Sequence, residues 1–191
     1  VASHLLGGMS TLALLAWLAL GEGRAPAARA RVTPVGLARG ILVLVVCQIA
    51  LGGWVSANDA ALACPDLPTC QGTWWPRADF ASAFDVTHGL GVLSAEGLTA
   101  IHLAHRLGAL LVLAAGLLLA WRLLRVPGLA GVGFGLLAVV SLQFLLGVAN
   151  VAFGLPLPVA VGHNAGAALL LLVLVWINVS LARSRHEYTG H

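Results

Sequence analysis

Three polar side chains, His102, His105 and Arg106, fall within residues 101–107, the opening of an otherwise apolar run. Ionisable groups at membrane depth are costly, so they tend to face a bundle interior and act there. Neutral imidazole is the commonest metal ligand among side chains. A histidine so placed is a candidate ligand if the chain supplies a partner. His-x-x-Gly stands near the same end of three apolar runs, as His4–Gly7, His105–Gly108 and His163–Gly166.

The elements that must position these residues are membrane helices. Of 191 residues, 60% are hydrophobic and 9% charged, and the mean hydropathy is +0.97. A soluble domain cannot hide that much apolar surface. Five apolar runs, residues 1–20, 40–56, 99–121, 129–154 and 159–181, each approach the ~20 residues that cross a ~30 Å hydrocarbon core. The expected fold class is an all-α, polytopic membrane helical bundle with five transmembrane helices. The chain has no lysine, and ten arginines carry its formal charge of +3. Arg24, Arg29, Arg31 and Arg39 follow the first run, Arg122 and Arg125 the third, Arg183 and Arg185 the fifth. Alternating runs put all of them on one side, which the positive-inside rule makes cytoplasmic. The basic excess is then a topology signal, with no nucleic-acid partner implied. Loop 57–98 and the tight connection 155–158 face outward. Val1 stands inside an apolar run without a basic n-region, which reads as the start of a fragment.

The outer loop holds Cys64-Pro-Asp-Leu-Pro-Thr-Cys70. On the oxidising side this spacing suggests a disulfide. A metal site would want further ligands, and the loop offers only His88; two free thiols are the remaining alternative. Trp74 and Trp75 read as interfacial anchors, and Cys47, inside a run, as a small apolar residue.

Internal repetition strengthens the histidine pattern. Gln48-Ile-Ala-Leu-Gly52 and Gln143-Phe-Leu-Leu-Gly147 each close an outward run, and the next run carries His105 or His163. Aligning His4 with His163 also brings Gly7 onto Gly166 and Trp17 onto Trp176. The chain thus reads as two copies of one hairpin, preceded by the inward helix of an earlier one. In an up-down-up-down bundle of the last four runs, the third and fifth are diagonal. His105 and His163 would then oppose each other at one level, which suits the axial positions of a haem iron. Gly108 and Gly166 would leave room for the macrocycle, and Arg106 could pair with a propionate.

Plainer readings stand beside this one. Histidines and glycines in spans also serve interhelical hydrogen bonding and close packing, and Arg106 equally suits snorkelling to the interface. Zinc would lack further nitrogen or sulfur ligands at this depth. His102, one turn further out, suits a propionate or loop group as well as iron. His88 reads as a loop residue, and His186 and His191 as part of a solvated tail. Gln48, Gln143 and Asn150 read as interhelical hydrogen-bonders, and Gly131 and Gly135 as helix packing.

Taken together, Gly-Gly-Trp54-Val-Ser-Ala-Asn58, the Cys64–Cys70 stretch, Ile-His102-Leu-Ala-His105-Arg106-Leu, Gly147-Val-Ala-Asn150 and His163-Asn164-Ala-Gly166 resemble haem A synthase over nearly the whole chain. The resemblance implies an eight-span protein of two similar four-helix bundles, each with a haem site near its outer face. It implies oxidation of a methyl group of haem O, the substrate, to the formyl group of haem A for terminal oxidases. It makes His105 and His163 axial ligands of haem b, Cys64–Cys70 a disulfide, and His4 the last histidine of the N-terminal bundle, on the substrate haem iron. Residues 1–20 become the last helix of that bundle and 21–39 a cytoplasmic loop. Residues 40–181 become the C-terminal haem b bundle with outer loop 57–98, and 182–191 a cytoplasmic tail. Catalytic residues are expected in three N-terminal spans outside this sequence, so the fragment alone should be inactive. The resemblance further implies a bacterial plasma membrane, lipid contact, haem O synthase and an electron donor as partners, and it allows a homo-oligomer. The competing classes are a b-type cytochrome subunit that only transfers electrons and a haem-free structural or transport bundle.

Overall fold

A computed structural model describes residues 2–21, 34–85 and 93–189. Its helices are α1 (Ala2–Gly21), α2 (Val35–Ala57), α3 (Phe80–Ala83), α4 (Ala95–Leu124), α5 (Ala130–Ala152) and α6 (Leu157–Thr189). All but the short α3 are long and apolar enough to cross a membrane. With no strand among the described residues, the chain is an all-α, multi-pass membrane protein. Arg24, Arg29, Arg31, His88 and His191 lie outside the described residues, as do the side chains of Arg183, Arg185 and His186.

Both α2 and α4 begin ahead of their apolar runs. α2 starts at Val35, where Pro34 precedes the first turn and its carbonyl accepts from Ala38 N at 2.9 Å. Proline is tolerated there because it lacks only a donor that would be unpaired anyway. α4 starts at Ala95 because the Ser94 hydroxyl accepts from Gly97 N at 3.1 Å and Glu96 sits in the first turn. Both features favour a helix N-terminus, and neither is apolar. α5 stops at Ala152, where Gly154 and Leu155 take left-handed φ values of 67° and 63° and Leu155 N donates to Asn150 O at 2.7 Å. α6 remains helical beyond its span, which ends at Ala182; the segment expected as a tail from 182 is therefore helical to Thr189.

α2, α4, α5 and α6 form a closed ring in which each packs on the next, and α4 and α6 occupy opposite corners. The centre is filled by Val45 and Ile49 from α2, Leu119 from α4, Val140 from α5, and Leu170 and Leu174 from α6. α4 and α5 approach closely at Gly116, where a Cβ would stand 2.9 Å from Val140 Cγ2. Asn178 Nδ2 donates to Ala38 O at 3.1 Å and ties α6 to α2. α1 leans on α6 and α2 from outside and has no buried residue.

The long loop is a built structure. A 3-10 turn, Ala60–Leu62, follows α2, and α3 is N-capped by Asp79, whose carboxylate accepts from Ala81 N and Ser82 N at 3.1 Å each. Val55, Ala60, Ala83, Ala100 and Ile101 form a second small core that seats this layer on the ends of α2 and α4.

Candidate functional site

His105 on α4 and His163 on α6 line one cavity of about 850 Å³ between the opposite corners of the ring. Its walls are mainly apolar, with Val45, Leu113, Val140 and Phe144 among them, and Asp59, Leu62, Leu67 and Pro68 of the loop layer border it. Pockets that bury a small ligand run to ~300–1,000 Å³. Two imidazoles facing one such space from diagonal helices are the arrangement expected from the repeat.

Each imidazole is bracketed by the neighbouring helix in the same way. A Cβ on Gly52 of α2 would stand 3.2 Å from His105 Cε1, and one on Gly147 of α5 would stand 3.2 Å from His163 Cε1. One turn before each glycine is a glutamine. Gln48 Nε2 lies 3.0 Å from His105 Nδ1 and donates to His105 O at 2.9 Å. Gln143 Nε2 lies 3.5 Å from His163 Nε2. In return, a Cβ on Gly108 would collide with Gln48 Oε1, and one on Gly166 with Gln143 Oε1. Two reciprocal histidine–glycine and glutamine–glycine contacts thus lock α4 to α2 and α6 to α5.

This placement differs from the sequence reading of Gly108 and Gly166. Three residues along a helix from the histidine, each turns toward the adjacent helix rather than along the diagonal. The room it leaves is filled by a glutamine. The glycines that border the cavity are Gly52 and Gly147.

Arg106 holds the disulfide loop. Cys64 and Cys70 are bonded, and the guanidinium donates from Nη1 to Thr69 O at 2.9 Å and from Nη2 to Cys64 O at 2.6 Å. Its Nε lies 3.2 Å from His102 Nε2, while Cys64 N donates to His102 Nδ1 at 3.1 Å. A neutral imidazole accepts at only one nitrogen, so these two donors compete for His102. Of the readings open to His102 (a propionate, a loop group or iron), the contact present is to the loop; the residue is buried and also borders the cavity. Arg106 also borders the cavity and carries more N–H groups than these contacts use.

Inside the loop, Asp66 is the hub. Its carboxylate accepts from the Thr69 hydroxyl, from Gln71 N at 2.6 Å and from Gly72 N at 3.0 Å. The Thr69 hydroxyl first, then the Gly72 and Gln71 amides, hold its pKa down at about 2. Gln71 Nε2 reaches Ala63 O and Thr99 Oγ1, both at 3.0 Å, fastening the loop to α4. Nothing in the residue order singled out Asp66; the signal available was only an Asp inside a proline-bearing Cys pair.

Comparison with known proteins places the chain in a family. The sequence pattern of the COX15-CtaA family, described as cytochrome oxidase assembly protein, matches residues 1–175. The chain belongs to that family. Members similar to it include the haem A synthase of Shewanella oneidensis, 44% identical over 95% of this chain and 58% of the relative. Those of Rhizorhabdus wittichii, at 30% over 97% and 52%, and Paracoccus denitrificans, at 29% over 98% and 48%, are also similar. The chain spans about half the length of the curated relatives it matches.

Within this COX15-CtaA chain, His4 stands apart from the cavity. It is exposed on α1, whereas α1 meets the cavity through Leu5 and Met9. Cys47 is a free, exposed thiol on the outer face of α2. Among the described residues, no group of three or more His, Cys, Asp or Glu is placed to hold a metal ion; the donor set that does converge is the histidine pair.

Proposed function

We propose that these residues are the haem b-holding half of a haem A synthase, in which His105 and His163 would hold the haem iron. The observation that carries the reading is one apolar cavity with an imidazole on each of two opposite helices. The donor chemistry fits: the buried His163 Nδ1 has no hydrogen-bond partner, and iron takes axial imidazole nitrogen readily. When bound, haem supplies one-electron redox chemistry; the protein supplies ligation, orientation and exclusion of water.

In this reading, Gly52 and Gly147 let the imidazoles lie against α2 and α5. The loop layer covers the cavity on its outer side, and the Arg106 charge borders it where propionates would need a partner. The parent protein would oxidise the methyl group of its substrate, haem O, to the formyl group of haem A. His4 would belong to the substrate haem site of the other half, and catalysis would lie there. The site would sit near the outer face of a bacterial plasma membrane. Residues 1–20 would close the partner bundle and 40–181 would form the haem b bundle. Haem O synthase and an electron donor would be the working partners.

An optical spectrum of the full-length protein tests the assignment. A reduced low-spin b-type band should be present and should disappear in both His105→Ala and His163→Ala. A wild type without the band, or two variants that keep it, refutes the haem site. Conversion of supplied haem O to haem A by membranes containing the full-length protein separates a synthase from a cytochrome that only passes electrons.

A further inference from the structure

The glutamines beside the two histidines leave an unsettled account of hydrogen bonds. Oε1 of Gln48, Oε1 of Gln143 and Nδ1 of His163 are all buried without a hydrogen-bond partner. Buried polar atoms are nearly always paired, and an open amide oxygen beside each of the two rings calls for an explanation. A histidine that gives one ring nitrogen to a metal keeps its proton on the other, which is then a donor. Ligating histidines as a rule give that N–H to a fixed acceptor, which sets the ring plane and the basicity of the ligand. Beside His105 the amide of Gln48 already touches the ring nitrogen at 3.0 Å, but with its nitrogen end. Turning the amide over exchanges Nε2 and Oε1, two ends nearly alike in size, and gives up the donation to His105 O, so the oxygen turns from that carbonyl to the ring N–H.

We infer that Gln48 and Gln143 are positioning residues for the His105 and His163 imidazoles, each accepting the ring N–H through its amide oxygen when the histidine ligates iron. The inference rests on the haem reading above and extends it to residues that touch only the ligands. It accounts for why each glutamine is given a glycine on the facing helix: Gly108 and Gly166 are the seats that hold the amides beside the rings. The two positions are unequal. Gln48 already stands 3.0 Å from its ring nitrogen, whereas Gln143 stands 3.5 Å from its own. Gln48 is therefore the stronger determinant.

The test is a redox titration with electron paramagnetic resonance on the haem-loaded, full-length protein carrying Gln48→Leu, Gln48→Glu or Gln143→Leu. Gln48→Leu should keep its haem but show a raised reduction potential, because an imidazole without an acceptor donates less to ferric iron. Gln48→Glu should lower the potential, since a carboxylate accepts more strongly, and Gln143→Leu should move it less than Gln48→Leu. Shifts of opposite sign are not produced by a glutamine that merely glues α2 to α4. Unmoved potentials and resonance positions, or shifts of the same sign in both Gln48 variants, overturn the inference. Should Gln48→Leu fail to hold haem, the charge-neutral Gln143→Leu decides: a raised potential supports, an unchanged or lowered one overturns. Failure of the haem reading itself shows elsewhere, as a b-type band absent from wild type or surviving in His105→Ala and His163→Ala.

Discussion

Gly108→Ala puts the reciprocal contact to a sharp test, because two physical effects oppose each other and the structure says which wins. Alanine in a helix interior is better than glycine by about 1 kcal/mol. The new methyl, however, would fall on Gln48 Oε1, so the glutamine must leave its seat. It would then lose the contact with His105 Nδ1 and the bond to His105 O. Each such bond is worth about 1 kcal/mol net, and a ring nitrogen left unpaired while buried adds about 1 kcal/mol or more. The loss of about 3 kcal/mol or more outweighs the propensity gain, leaving a net destabilisation of about 2 kcal/mol or more. Gly40→Ala, where nothing stands within 4 Å of the new Cβ, is the control and should be neutral or stabilising by up to about 1 kcal/mol. Thermal unfolding of the purified protein in detergent compares the two. A Gly108→Ala protein as stable as the Gly40→Ala control would mean that the glutamine is not seated there, and the reciprocal contact would fall with it.

Two further predictions concern the loop. Arg106→Leu removes two charge-assisted bonds to the carbonyls of Cys64 and Thr69, and local opening of the loop should become easier by about 2–4 kcal/mol. Hydrogen exchange at the Cys64 amide should accelerate by about 30- to 1,000-fold, and an unchanged rate would show that the clamp carries no weight. The Asp66 carboxyl, held at about 2 against an ordinary 3.8, supports the loop only while ionised. Because its folded pKa is depressed, that support is complete above about pH 4 and is lost as the pH falls toward about 2. Protection of the Gln71 and Gly72 amides, corrected for intrinsic exchange, should follow this course in wild type and be weakened already at neutral pH in Asp66→Asn. Equal protection in the two at neutral pH would refute the hub.

Much of this chain is legible in one dimension because a membrane imposes one-dimensional rules. A span must be about 20 apolar residues and fully helical, so five runs of the right length in the residue order become five helices. The repeated His-x-x-Gly and Gln-x-x-Leu-Gly patterns are likewise visible by alignment of the chain with itself, and they pick out the four side chains that meet in pairs. What hydropathy misses are the ends, since Ser94, Glu96 and Pro34 extend helices by capping and backbone constraint rather than by apolarity.

The sequence by itself therefore determined the class, the spans and the pair of histidines, because period, length and repetition are properties of a string. Which way each residue faces was decided only by packing. Gly108 sits one turn from His105 in the sequence, yet the ring of four helices turns it to α2 and gives its space to Gln48. Arg106, adjacent to His105 in the chain, is committed to carbonyls more than thirty residues earlier. Neighbours in a helix diverge by about 100° per residue, so the identity of each one's partner depends on the helices around it, and that is a fact of the tertiary structure alone.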